Sequence, residues 1–164
     1  SAFGYLDIIT KAGKVWSQVP YPLLILPNAN MSYTIQPETY SNMNALEFIN
    51  DEFTSWDMTY YMNGNLLNRI PLIKKLKWRE VFCFRGLWGH LSDKNNPFKE
   101  GKKEGLFLFP LQTYQMDKTP YMEASVGIEN IFSCLRVDYV WRLNYLDHPN
   151  IQKSGIRCTI QLSF

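Results

Sequence analysis

The feature that most constrains this chain is a strict alternation of apolar and polar residues in several separate stretches. In "LRVDYVWRLNY" (135–145), apolar or aromatic side chains occupy nearly every second position and most of the polar ones fall between them. Successive side chains of a β-strand point to opposite faces of a sheet, so this spacing predicts a strand with one apolar and one polar face. The same pattern recurs in "YMEASVGIE" (121–129) and "GIRCTIQLSF" (155–164). The chain is therefore predicted to be all-β.

Six stretches carry this alternation, some of them loosely. The short "NIFSC" (130–134) joins two of the clearest strands, which predicts a hairpin. The stretch "KLKWREVFCFRGLW" (75–88) is less regular, because Glu80 interrupts its apolar side. The predicted strands lie near residues 3–16, 52–62, 76–90, 120–129, 135–146 and 155–164. Their spacing predicts an antiparallel, up-and-down arrangement.

The connections between these strands alternate in length. Residues 17–51 and 90–120 are long connections, whereas 63–75 and 130–134 are short. Outer-membrane barrels have short periplasmic turns and longer outer loops, and aromatic side chains gather near their strand ends. The pattern favours a segment of a transmembrane β-barrel. Since such barrels begin at about eight strands, six strands would form part of a larger barrel.

A soluble β-sandwich that acts as a binding module is the alternative interpretation, because its strands show the same alternation with the apolar face turned inward. The charge of the second face favours the barrel. Its ionisable side chains on the last three strands are Glu123, Glu129, Arg136, Asp138, Arg142 and Arg157. We expect them to face a wet lumen, where opposite charges on neighbouring strands pair. They would form either a conduit wall or a network that holds the barrel shut. Arg142 should have at most one partner there, so its replacement should be mild.

The last predicted strand stays patterned to the final residue, with Ile160, Leu162 and Phe164 on its apolar side. Chain ends of soluble domains usually fray and gain little from an apolar terminus. We therefore expect these three residues to be a signal that the barrel-assembly machinery recognises.

The run "VPYPLLILP" (19–27) is apolar but holds three prolines, which exclude a central strand. A loop with four consecutive aliphatic side chains is expected to pack on something. The barrel mouth is the favoured surface, and a partner protein is the alternative.

Composition excludes several partners and cofactors. The net charge of +2 comes from scattered basic residues, so no nucleic-acid partner is predicted. The three cysteines are far from each other and from both histidines, so we predict neither a metal site nor a cofactor. His90, Ser92 and Asp93 stand close together in "GHLSD", but neighbours within one loop rarely form a working triad. No catalytic residue is predicted.

Several stretches resemble a family of outer-membrane proteins from Bacteroidota, otherwise uncharacterised, in which a carboxypeptidase-like regulatory domain precedes a β-barrel. The stretches are "AGKVWSQVPYPLL", "MNALEFINDEF", "RIPLIKKLKWREV", "VGIENIFSCLRVDYVWRLNYLDHPNIQKSGIR" and "LSF". The resemblance implies that residues 1–164 are the C-terminal part of such a barrel in a bacterial outer membrane. It implies no reaction, because the family has none established.

These arguments predict an outer-membrane component with a role in membrane assembly, translocation or transport and no chemistry of its own. Its expected partners are outer-membrane lipid, the remaining strands of the barrel or other subunits, and the barrel-assembly machinery.

Overall fold

The computed structural model of this chain describes residues 4–30, 32, 39–99 and 105–160. Its strands are β1 (Tyr5–Lys14), β2 (Glu52–Tyr61), β3 (Arg79–His90), β4 (Tyr121–Ile131), β5 (Leu135–Arg142) and β6 (Ser154–Ile160). They form one antiparallel sheet in the order β1-β2-β3-β4-β5-β6, so each strand pairs with its neighbours in sequence. The all-β prediction is confirmed as this single sheet. It is open, with β1 and β6 as its edges.

The helical elements are short and lie in the connections. They are α1 (Pro71–Lys74) and three 3₁₀ turns at Tyr21–Leu23, Leu67–Arg69 and Asp93–Asn95. None of the helices in the described ranges is long and apolar enough to cross a membrane.

Strand ends differ from the predicted ranges where the backbone turns. β3 begins at Arg79 rather than near residue 76, because the preceding residues form a helical turn that ends with Lys77 at a positive φ of 54°. β5 ends at Arg142, three residues before Tyr145 adopts a φ of 53°. The last predicted strand reached residue 164, and its end, with Leu162 and Phe164, lies outside the described residues.

The two faces of the sheet differ in chemistry. Residues opposite each other in antiparallel strands lie on the same face. One row contains Ile8, Met58, Phe84, Ala124 and Trp141, and the next contains Leu6, Tyr60, Phe82, Val126, Tyr139 and Ile156. We call this side the apolar face. Many of its side chains are exposed, Ile8 by 57% and Ile156 by 60%.

Glu80, which interrupts the apolar side of β3, serves a turn. Its carboxylate accepts hydrogen bonds from the backbone N–H of Leu66, at 3.0 Å, and of Leu67. Both donors lie in the short β2–β3 connection. The charge is thus placed at the strand end, where it closes the turn.

The opposite side, the polar face, is covered by the long connection between β1 and β2. One buried cluster on this side contains Tyr40, Met43, Phe48, Leu87, Met116 and Tyr121. A second cluster joins Leu24 of the apolar loop run to Ile49 and Leu91. The loop therefore packs back onto the end of β3, while its neighbour Leu23 stays 67% exposed.

Candidate functional site

The candidate site is a network of charged and polar groups beneath residues 39–51, which we call the inward segment. This segment crosses the polar face and bonds to four successive strands. Its first link is the carbonyl oxygen of Thr39, which accepts a hydrogen bond from Arg85 Nη1 on β3 at 2.7 Å. Arg85 is itself paired with Asp57 on β2, with Nε 2.7 Å from Oδ2.

The carboxylate of Glu123 on β4 holds the next part of the segment. It accepts hydrogen bonds from the backbone N–H of Ser41 at 2.9 Å and of Asn42 at 2.6 Å. The hydroxyl of Tyr121 donates a third bond at 2.6 Å. Glu123 is only 2% exposed, so this buried charge is satisfied largely by the backbone of the loop. The arrangement orders two consecutive residues of the segment against β4.

Arg142 on β5 forms a buried pair with Glu47 of the inward segment. The guanidinium binds both carboxylate oxygens, at 2.9 Å through Nη1 and 2.5 Å through Nη2. Both side chains are 0% exposed. Arg142 also donates to the carbonyl oxygens of Asn42, Asn144 and Tyr145, at 2.7–3.1 Å. The expectation of at most one partner for Arg142 is wrong, because the loop covers it.

Glu47 receives two further hydrogen-bond contacts. Its Oε1 lies 2.7 Å from Nδ1 of His148, and its Oε2 accepts from the backbone N–H of Asn44 at 2.9 Å. The ring of His148 stacks on Tyr114 with centroids 4.0 Å apart. Burial by itself raises the pKa of Glu47, but the bonds from Arg142, Asn44 and His148 outweigh it and hold that pKa below its ordinary value.

Asp51 anchors the far end of the segment. It accepts hydrogen bonds from the backbone N–H of Ser92 and from Asn95 Nδ2, each at 3.0 Å, and also from the hydroxyl of Ser92. Burial by itself raises the pKa of Asp51, but these hydrogen bonds outweigh that effect and hold the pKa below its usual value. Ser92 therefore bonds to Asp51, whereas His90 is exposed. Of the three side chains singled out in "GHLSD", that of Ser92 anchors the loop, whereas Asp93 pairs with Lys99 at 3.5 Å.

The six charged residues proposed from the sequence share the polar face but do not act as one group. Glu123, Arg142 and Arg157 bind the inward segment. Arg136 instead makes two 2.7 Å bonds to Asp138 within its own strand, and Glu129 lies 3.9 Å from Arg79. The expected pairing of these six charges with one another across neighbouring strands is wrong: the cross-strand partner of Glu129 is Arg79 on β3, and the other five bond to the loop or within a strand.

Glu47 and Asp51 are two residues of the network that the strand pattern missed. They lie four residues apart in "LEFIND", a stretch in which buried Phe48 and Ile49 separate them. Acidic residues inside an apolar loop segment are a signal for buried, paired carboxylates. The partner of Glu47 is 95 residues away, so alternation along one strand could not reveal it.

Acid is expected to release the inward segment. A carboxyl group whose pKa is lowered by folding stabilises the folded state fully above its unfolded pKa, near 4. That stabilisation is lost as the pH falls through the lowered folded values of Glu47 and Asp51. Amide hydrogen exchange of residues 40–51, corrected for intrinsic rates, should show protection at pH 6 that falls progressively as the pH is lowered below about 4.

The control for this prediction is Glu47→Gln combined with Asp51→Asn, which should loosen the segment already at pH 6. Equal protection of residues 40–51 at pH 6 and below about pH 4 in the unmodified chain would contradict the role given to the two carboxylates.

The chain was compared with protein-family models, curated proteins and solved structures. No protein-family model, no curated protein and no solved structure matches the chain. Among the described residues, no three His, Cys, Asp or Glu side chains are grouped so that they could hold a metal ion. The features of the chain that bear on function are therefore the two faces of the sheet and the inward segment.

Proposed function

We propose that this chain forms part of the wall of a transmembrane β-barrel in a bacterial outer membrane, with the polar face toward the lumen. The observation that carries the proposal is the charge distribution of the apolar face. Its Glu, Lys and His residues are confined to strand ends: Lys14 ends β1, Glu52 begins β2, and Glu80 and His90 lie near the two ends of β3. Between these ends the residues of the face are uncharged and most are apolar, as a lipid-facing band requires.

The covering of the sheet supports this choice over a soluble sandwich. A sandwich buries its apolar face against a second sheet and leaves polar side chains outside. Here the chain covers its polar face with the inward segment, while large side chains of the apolar face remain exposed. An uncovered apolar surface of this extent marks an interaction site, and a bilayer is the partner that matches an unbroken band across every strand.

The edges of the sheet imply further strands. Within the described residues β1 and β6 each pair on one side only. In hydrocarbon, each unpaired backbone group costs several kcal/mol, so both edges are expected to pair with strands of the same barrel or of another subunit. A barrel of the Bacteroidota family that the sequence resembles would supply such strands. Ile160, Leu162 and Phe164 remain the proposed signal for the barrel-assembly machinery.

The role that we propose is transport, translocation or assembly across the membrane, without chemistry of the chain's own. The polar face offers a wet wall, and the inward segment fills the space over β3, β4 and β5. The segment is held in place by Glu123, which accepts from its backbone N–H groups, and by Arg142, which donates to Glu47. Passage along this wall then requires the segment to move, which makes it a plug.

Depth-dependent quenching of tryptophan fluorescence by brominated lipid tests the membrane assignment. The chain would be inserted into vesicles as single-tryptophan variants that retain Trp56, Trp141 or Trp16. Trp56 and Trp141 lie on the apolar face, whereas Trp16 follows the end of β1 and is 81% exposed. Bromine at mid-chain should quench Trp56 and Trp141 more strongly than Trp16.

If all three tryptophans are insensitive to bromine and the chain is monodisperse without detergent, the membrane assignment is wrong. The soluble binding module would then be the better interpretation.

A further inference from the structure

The connection between β2 and β3, residues 62–78, carries positive charge only, and we call it the basic turn. Its charged residues are Arg69, Lys74, Lys75 and Lys77, and it contains no aspartate or glutamate. All four residues are exposed. None of them forms an ion pair with a carboxylate of the described residues. The basic turn therefore presents uncompensated positive charge to its surroundings.

The basic turn also exposes large aliphatic side chains. Leu72 is 83% exposed, and Leu66, Ile70 and Leu76 are each exposed by about half. Each of the four lies within three residues of a lysine or an arginine. Apolar side chains interspersed with cations are typical of a segment at a bilayer interface, where the apolar groups enter the acyl boundary and the cations meet the headgroups.

Hydrogen bonds fix the side of the sheet on which the basic turn lies. Glu80 belongs to the apolar face, at the same alternate positions of β3 as Phe82 and Phe84. Its carboxylate accepts hydrogen bonds from the backbone N–H of Leu66 and of Leu67, and Glu80 is buried beneath them. The basic turn therefore folds over the end of the apolar face and not over the polar face.

A second turn at the same end of the sheet extends this surface. The connection between β4 and β5 holds Asn130, whose Nδ2 donates to the carbonyl oxygen of Lys77 at 2.8 Å. Phe132 of that connection is 88% exposed. The two turns are thus tied together, and their apolar side chains continue the apolar face beyond the strand ends.

We propose that the basic turn lies in the headgroup region of the bilayer and binds the phosphate groups of anionic phospholipids through Lys74, Lys75 and Lys77. The inference rests on the proposed membrane location of the apolar face and adds a lipid class to it. A lysine ammonium is a point charge on a long stem, so it reaches a phosphate while the stem lies along apolar surface. Each lysine near an anionic leaflet strengthens the attraction about fivefold.

Brominated lipids can report which lipid surrounds a given tryptophan. Trp78 directly follows the basic turn, whereas Trp141 lies near the end of β5 that is farthest from it. The full chain would be inserted into vesicles of equal amounts of phosphatidylcholine and phosphatidylglycerol, as variants that retain only one of these tryptophans. Bromine is placed on one lipid or on the other, and the two quenching values give the relative affinity for the anionic lipid. We expect a preference of about threefold or more at Trp78 and none at Trp141.

Two double variants test the role of the lysines. Lys74→Gln with Lys75→Gln should remove most of the preference at Trp78. Lys118→Gln with Lys153→Gln is the matched control, because it removes the same charge from exposed residues in connections at the other end of the sheet. It should leave the preference unchanged. Molar sodium chloride should abolish the preference in the unmodified lysine background, which requires no lysine variant to fold.

The outcomes separate this inference from the membrane assignment. If bromine in neither lipid quenches Trp78 or Trp141, both the membrane assignment and this inference are wrong. If both tryptophans are quenched but Trp78 shows equal affinity for the two lipids, this inference alone is wrong. A preference that survives the lysine substitutions would also overturn it. So would a preference that sodium phosphate removes at constant ionic strength, because the turn would then bind a soluble anion and not a lipid leaflet.

Discussion

Replacing Arg142 by Met is expected to destabilise the folded chain by about 3–5 kcal/mol, because it leaves the Glu47 carboxylate buried without its main partner. The pair is fully desolvated, with both side chains 0% exposed. The same change also leaves three carbonyl oxygens of the inward segment and the β5–β6 loop without a donor. The free energy of unfolding in urea, measured in lipid vesicles, reports the loss.

Two further variants separate the charge from the shape. Adding Glu47→Gln to Arg142→Met removes the unpaired charge and should recover a large part of the loss. Arg69→Met is the matched control, since Arg69 is exposed in the β2–β3 connection. If Arg142→Met were no more destabilising than Arg69→Met, the buried pair would not hold the segment.

The second large effect is expected on the apolar face. Phe84 lies at the centre of β3, opposite Met58 on β2 and Ala124 on β4. On a lipid-facing strand, an arginine at the bilayer midplane costs about 2–4 kcal/mol, and one near the interface about 0–1 kcal/mol. Phe84→Arg should therefore destabilise the inserted chain by the larger amount, again by urea unfolding in vesicles.

His90→Arg is the internal control, because His90 ends the same strand on the same face. It should cost little. Equal effects of the two substitutions would mean that position 84 lies no deeper in a bilayer than position 90. That result would argue that a protein, and not lipid, covers the apolar face.

Strands and their faces were accessible from the sequence because both depend on local spacing. In "LRVDYVWR" the alternation alone separates Tyr139 and Trp141, which are exposed, from Asp138 and Arg142, which are buried. Tertiary contacts only lengthen or shorten such strands by a few residues. Lys77 precedes the start of β3 and Tyr145 follows the end of β5, and both have a positive φ. These are turn conformations, which the alternation of apolar and polar residues does not encode.

The site was far less accessible, because its bonds join the sheet to a segment without periodicity. Arg142 was identified as a residue of the polar face, but its partner Glu47 lies in a loop whose path depends on burial of Phe48 and Ile49. Arg142 was expected beside water for the same reason. The role of Ser92 also depended on tertiary structure, since its bond to Asp51 spans 41 residues.

The bonds that hold the inward segment have a consequence for the order of folding. Each strand pairs with a sequence neighbour, so the sheet grows by adjacent hairpins. The segment joins residues much farther apart, 95 for Glu47 with Arg142 and 116 for Ser41 with Arg157. Contacts of high sequence separation carry a larger loop-closure entropy and reduce folding rates. The segment should therefore dock last, after the hairpins have formed. Glu47→Gln should change the rate of this docking phase and leave the rate of hairpin formation unchanged. Until the segment docks, the polar face stays open to water.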